Sequence, residues 1–220
     1  MPIQETQLQQ TLVTLRTRLL VMSAMVGLAL DDACKALQEG DVGRASAVID
    51  GDEAINDLEN EIDAKALSIL ARTQPVARDL RFVISAMRMV LDLERIGDEA
   101  ARLSEFTVLM DNFGTIDQEI RDYLKTLMDT ARHIYEKSID SFREGDAEKA
   151  LNVRRHEDDV TLLDVRILHK ITNNSDIDPQ ASIYLMLISR ALNRTWRHAM
   201  NIAEHTYFIA TGENLKHRSL

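Results

Sequence analysis

The tripeptide Glu39-Gly40-Asp41 returns 105 residues later as Glu144-Gly145-Asp146, and the register holds along the segment that follows. Ala45 falls on Ala150, Val48 on Val153, Ile55 on Val160, Leu58 on Leu163 and Ile62 on Ile167. Past a shorter loop the shift becomes 99, so that Arg95 meets Arg194, Ala100 meets Ala199 and Glu105 meets Glu204. A chain that repeats itself in this way is built from two copies of one supersecondary unit.

The unit is helical. Only 8 glycines and 3 prolines punctuate 220 residues, which leaves few turns and favours long helices. Leu12, Leu15, Leu19, Met22, Val26, Ala29, Ala33 and Leu37 recur at three and four residues, the stripe of a first helix. Gly40-Asp41 ends it and offers an N-cap to the next. Val48, Ile55, Ile62 and Ile69 stand seven apart, a core seam for a second helix to about Arg72. Pro75 breaks the chain, because it lacks an amide hydrogen and clashes with the preceding turn. A third helix carries Leu80, Ile84, Met87 and Leu91 as its seam, and Asn112-Phe113-Gly114 closes the unit. Thr115-Ile116-Asp117-Gln118 has capping-box spacing and opens a fourth helix through Tyr123, Leu127, Ile134, Ser138 and Phe142. Gly145-Asp146 caps a fifth, expected to run unbroken to about Thr172. Asp178-Pro179 reads as N-cap and first-turn proline of a sixth, ending at Gly212. The predicted fold is all-α: two tandem three-helix bundles related by a pseudo-twofold, residues 1–113 and 114–220.

Composition removes several function classes. A net charge of −10 opposes nucleic-acid binding, which needs clustered Lys and Arg. The single cysteine, Cys34, cannot form an internal disulfide and fits a reducing compartment, where it reads as a small buried apolar side chain. The longest apolar run, Leu19 to Leu30, spans 12 residues, short of the roughly 18 that cross a bilayer. Asp31-Asp32 follows it where a signal peptide would carry a cleavage site. The expectation is a cytoplasmic protein with no transmembrane segment.

Four carboxylates stand out. Glu59 and Asp63 lie four apart on the second helix and Glu94 and Asp98 four apart on the third, each pair on one face. Glu94 and Asp98 also continue the four-three seam of Leu80 to Leu91, so carboxylates take over where core leucines are expected. The midpoint of 59 and 94 falls in the Pro75–Arg78 break. Glu59 and Glu94 should therefore stand level on antiparallel neighbours, with Asp63 and Asp98 diverging by about 6 Å each way at 1.5 Å per residue. Crowded carboxylates repel unless a cation or a set of donors compensates. Hard oxygen ligands suit magnesium, calcium, manganese or iron, and the spread suits more than one ion. The same four also fit a solvated face paired with Arg88, Arg95 or Arg102.

Gln74-Pro75-Val76-Ala77-Arg78-Asp79-Leu80-Arg81, followed by Leu93-Glu94-Arg95-Ile96-Gly97-Asp98-Glu99-Ala100, resembles the PhoU family over nearly the whole chain. Ile55-Asn56-Asp57-Leu58-Glu59 and Asn201-Ile202-Ala203-Glu204 fit the same pattern. The resemblance implies two three-helix bundles, a homodimer, and a regulator that holds the phosphate-starvation response off. It implies contact with a sensor histidine kinase and with the ATPase subunit of a phosphate ABC transporter, hence peripheral membrane association through partners. It also implies a multinuclear metal cluster (iron, manganese, magnesium or zinc) on a repeated ExxxD motif, which maps onto Glu59/Asp63 and Glu94/Asp98. The second repeat departs from the pattern: its equivalents are Asp164, Leu168, Asn193 and Arg197, so one carboxylate remains of four. Arg197 is expected to pair with Asp164.

No catalytic residue is assigned. A di-iron enzyme of the ferritin-like class needs Glu-x-x-His pairs, and no histidine here has Glu three residues before it. Walker A, Gly-x-Ser-x-Gly and Cys-x-x-Cys patterns are absent from the sequence. His156, His169, His198 and His205 lack the four-residue spacing of a helical metal pair and receive no role. The alternative to phosphate regulation is a metal-binding helical scaffold or adaptor outside phosphate signalling.

Overall fold

The computed structural model describes residues 2–110, 118–155, 157–173 and 177–215; the side chains of 2–6, 157–161, 163, 164 and 167 fall outside that description. The described residues form helices α1 (Pro2–Glu39), α2 (Val42–Thr73), α3 (Ala77–Met110), α4 (Gln118–Glu144), α5 (Ala147–Arg154), α6 (Glu157–Thr172) and α7 (Pro179–Thr211), with no strand among them. Helices α1–α3 make the first bundle and α4–α7 the second, joined where α3 packs on α7 and α1 on α4. The expected boundary at 113/114 and the capping box at Thr115 lie outside the described residues.

The repeated turn forms as its sequence dictates. Gly40 and Gly145 take φ of 68° and 67°, left-handed values that cost glycine nothing. Asp41 and Asp146 then cap α2 and α5, Asp41 accepting from the Arg44 amide and Asp146 from those of Glu148 and Lys149. Asp178 caps α7 in the same manner, accepting from the Gln180 and Ala181 amides.

Two expectations are corrected. The fifth helix is not continuous: α5 ends at Arg154, Arg155 turns back on the carbonyls of Asn152 and Val153, and α6 begins at Glu157. The run Glu157-Asp158-Asp159 explains the restart, since consecutive carboxylates suit the positive end of a new helix better than a helix interior. The seam assigned to the third helix is also displaced. Leu80 and Leu91 are 40% and 49% exposed, and the buried face of α3 is Phe82, Val83, Ala86, Met89, Val90, Leu93, Ile96, Ala100 and Leu103. This helix packs on α1, α2 and α7 together, so its buried arc is wide, and the four-three series marks one margin of it. The seams of α1, α2 and α4 are placed as expected, with Leu15, Leu19, Met22, Val26, Ile62 and Leu127 fully buried.

By length and composition α1 could cross a membrane, yet its apolar stripe is used inside the bundle. Cys34 is buried there, and burial pushes its thiol up to about 12, which removes the thiolate at neutral pH. Two arginines tie the bundles together by satisfying carbonyls at helix ends. Arg16 donates to the Phe142 carbonyl at 2.7 Å, its guanidinium 5.0 Å above the Phe142 ring. Arg81 donates to the Ile209 carbonyl at 3.4 Å, near the end of α7.

Candidate functional site

Helices α2 and α3 are antiparallel neighbours, and close approach between them depends on Gly97. A Cβ there would lie 3.3 Å from Ile55 Cδ1 and 3.4 Å from its Cγ2, tight contacts that glycine avoids. The same point is 3.6 Å from Asp52 Oδ1, so Asp52 leans over α3 next to Asp98. Asp52 accepts a hydrogen bond from Asn56 Nδ2 at 3.2 Å.

The four carboxylates named from the sequence are all half-buried on this face. Burial raises the Glu94 carboxyl above the ordinary glutamate range; Asp98, Glu59 and Asp52 push it further, and the Arg95 guanidinium opposes them. Glu59 is raised by burial, then by Asp63 and Asp98, again with Arg95 opposing. Asp52 is raised by burial and by Asp98, and Asp63 by burial. The Glu59 charge thus reaches Glu94, and the Asp98 charge reaches Asp52, Glu59 and Glu94. Asp52 escaped the sequence reading although it stands seven residues, two helical turns, before Glu59.

Arg95 answers this charge, with Nε 3.3 Å from Glu94 Oε2 and Nη1 3.3 Å from Asp98 Oδ2, and it is 59% exposed. Arg102 turns to Glu99 instead, at 3.4 Å. Despite the nearby guanidinium, Glu94 Oε2 is buried without a hydrogen bond in acceptable geometry, and so is Asp63 Oδ1. Two orphaned oxygens among five carboxylates are the donor chemistry that hard cations take. No three carboxylate, imidazole or thiolate groups among the described residues close around one ion position. The face therefore concentrates negative charge without forming a finished cage.

In the second repeat Leu168 and Asn193 are half-buried and Arg197 is exposed, while the Asp164 side chain lies outside the described residues, and with it the expected Arg197–Asp164 pair. Two of the histidines given no role from the sequence are hydrogen-bonded between the bundles. His198 and His205 are seven apart on α7, and both reach Asp92 of α3, His198 Nδ1 at 2.8 Å from Oδ1 and His205 Nε2 at 3.2 Å from Oδ2. Asn201 Nδ2 donates to Oδ1 at 2.9 Å. An ionised carboxylate only accepts, so the facing nitrogen of each imidazole carries its proton. Burial pulls the Asp92 carboxyl upward, but the three hydrogen bonds outweigh it and leave it below the ordinary aspartate range. One turn pair further, Glu99 accepts two bonds from Arg194 at 2.5 and 2.7 Å, and Arg154 pairs with Glu204 inside the second bundle. Asp92 with Glu99 and His198 with His205 share the seven-residue spacing of facing helix positions, which was the available signal.

With this geometry established, relatives are informative. The PhoU domain family model matches residues 19–107 and 124–206.

The chain belongs to the PhoU family.

A "Phosphate-specific transport system accessory protein PhoU homolog" of Pseudomonas putida is 32% identical over 219 residues, spanning 97% of this chain and 84% of the relative. The crystal structure of PhoU from Pseudomonas aeruginosa matches with TM-score 0.88 and 31% identity, covering 93% of this chain and 99% of that one. A Streptococcus pneumoniae PhoU structure shares the fold at TM-score 0.86 and 23% identity, over 94% and 99% of the two chains. The two segments of the PhoU match bracket the two bundles and leave the connection between them unmatched.

Proposed function

We propose that this PhoU protein regulates phosphate transport and restrains the phosphate-starvation response, acting by binding rather than by catalysis. The observation that carries the reading is the match along 97% of the chain to a relative named as a phosphate-specific transport accessory protein. Its partners in this reading are the sensor histidine kinase of the phosphate two-component system and the ATPase subunit of the phosphate ABC transporter. Contact with them would hold a cytoplasmic protein at the membrane surface. An anionic helical surface supports docking on basic patches, with association weakening as salt screens the attraction.

Glu59, Asp63, Glu94 and Asp98 would hold divalent or ferric ions, with Asp52 beside them; what bound cations supply is charge neutralisation of a self-repelling face. The raising of Glu59, Glu94 and Asp52 by burial and by the Asp98 charge, and the orphaned oxygens of Asp63 and Glu94, support this. The second repeat keeps one of the four donors, Asp164, so the metal load is asymmetric between bundles. Deleting the gene should switch on phosphate-uptake genes in phosphate-rich medium, and re-expression should silence them. Wild-type expression of those genes in the deletion strain would defeat the reading and favour a metal-binding scaffold outside phosphate signalling.

A further inference from the structure

We infer that the second bundle holds a site for a small tetrahedral oxyanion, of the phosphate or sulfate class, between α5 and α7. A cavity of about 270 Å³ lies there, lined by Ala150 and Arg154 of α5 and by Trp196, Arg197, Asn201 and Glu204 of α7. The repeat accounts for its origin. Under the shifts of 105 and 99 residues, Ile49, Gly97, Asp98 and Arg102 of the first bundle correspond to Arg154, Trp196, Arg197 and Asn201. Gly97 lets α2 and α3 meet closely, in a place where a Cβ would lie 3.3 Å from Ile55. An indole at the same position of the second bundle keeps the helices from closing in that way, and the space it holds open is the cavity. At the next position a guanidinium replaces the Asp98 carboxylate, so the charge of the face is reversed.

The groups on the wall select an anion. Trp196 is 3% exposed, and its indole Nε1–H is buried without an acceptor. Indole only donates, so this orphan hydrogen is answered by a lone pair and not by a cation. Arg197 is exposed and has no ion pair or hydrogen bond among the described residues. Asn201 donates to Asp92 Oδ1 at 2.9 Å and keeps a second amide hydrogen. Among the described residues the wall carries one carboxylate, Glu204, and Arg154 already pairs with it. Behind Asn201, the Asp92 carboxylate is held by His198 and His205. The Arg197 charge is therefore the one left over. Guanidinium, indole and amide donors around one small space match an anion whose oxygens accept from several directions at once. The inference rests on this geometry and not on the phosphate-transport reading.

Trp196 is the single tryptophan of the chain, so its fluorescence reports on the site directly. In the full chain treated with a chelator, at constant ionic strength, inorganic phosphate and sulfate should each change that emission saturably, and chloride should not. The Glu94→Ala/Asp98→Ala variant should bind phosphate as the wild type does, which separates this site from phosphate carried by a cation in the first bundle. Arg197→Gln should weaken binding by about tenfold or more with the helical circular dichroism unchanged, and Arg197→Lys should recover part of the loss. Trp196→Phe keeps an aromatic ring and removes the donor, and should weaken phosphate binding by about threefold or more in equilibrium dialysis. Glycerol phosphate should bind no tighter than the free anion. Emission that does not saturate, an Arg197→Gln protein of wild-type affinity, loss of binding in the Glu94→Ala/Asp98→Ala variant, or tighter binding of the ester would overturn the inference. Binding that appears only in Asp164→Asn would overturn it as well, because the chain's own carboxylate then fills the place.

Discussion

Replacing Asp92 by alanine removes the one acceptor shared by His198, Asn201 and His205 across the α3–α7 junction. Hydrogen bonds to a charged group contribute about 1.5–3 kcal/mol each, but they are not additive here. The His198 and His205 side chains are 27% and 17% exposed and can regain water, whereas Asp92 is only 11% exposed. Removing a buried carboxylate also relieves its own desolvation. Balancing these, the substitution should cost about 3 kcal/mol, roughly one full hydrogen bond to a charged acceptor and part of the other two. For a domain of this size that corresponds to a fall of roughly 6–12 °C in Tm. Asn201→Ala, which leaves both imidazoles in place, should cost about 1 kcal/mol. Urea unfolding followed by circular dichroism measures both, with the midpoint shifting at constant slope if the bundles still unfold together. The pH dependence carries a definite sign: a carboxyl held below its unfolded value contributes stability above that value and loses it as pH falls through the folded one. The wild type should therefore lose this part of its stability in acid, and Asp92→Ala should not. A cost below 1 kcal/mol, or an acid limb unchanged by the substitution, would show that the three donors are incidental to holding the bundles together.

Glu94→Gln should raise the stability of metal-free protein at pH 7 by about 0.5–1 kcal/mol, because relief of a buried charge and of repulsion from Asp98, Glu59 and Asp52 outweighs the lost pair with exposed Arg95. Since the folded carboxyl is raised, wild-type stability should fall as pH climbs from the unfolded value through the folded one, and thermal melts of the variant across that range should be flatter. The Glu94→Ala/Asp98→Ala double variant should lose bound metal by elemental analysis, while Asp164→Ala retains it; equal losses would place the metal elsewhere. Gly97→Val should destabilise the α2–α3 contact by about 1–3 kcal/mol, since its Cβ would meet Ile55 and the branches would press further, and a melt within 1 °C of wild type would refute that packing.

The amino-acid sequence alone determined the helices whose signals are local. Gly40-Asp41 and Gly145-Asp146 need only a left-handed glycine and a capping carboxylate, and Asp178-Pro179 only a cap and a fixed φ, so these ends are where the residues put them. The seams of α1 and α2 were legible for a related reason: α2 packs on α1 and α3, and α1 packs chiefly on the same bundle, so each buries a narrower stripe that a three-four or seven-residue series reports. Helix α3 packs extensively on three neighbours, two in its own bundle and α7 in the other, so its apolar periodicity is spread over a wide arc, and the regular series Leu80, Ile84, Met87, Leu91 marked a margin instead of the centre. That error also misjudged why Glu94 and Asp98 are notable. They do not replace core leucines; they stand at an edge where antiparallel packing brings Asp52 and Glu59 opposite them. Which carboxylates share a field depends on two helices lying side by side at a distance set by Gly97, and spacing within either helix does not contain that distance. The same holds for Asp92 with His198 and His205, which are 106 and 113 residues apart in the chain. Local chemistry fixes where a helix starts and which way it faces, but a polar contact between helices exists only once their packing has brought the two faces together.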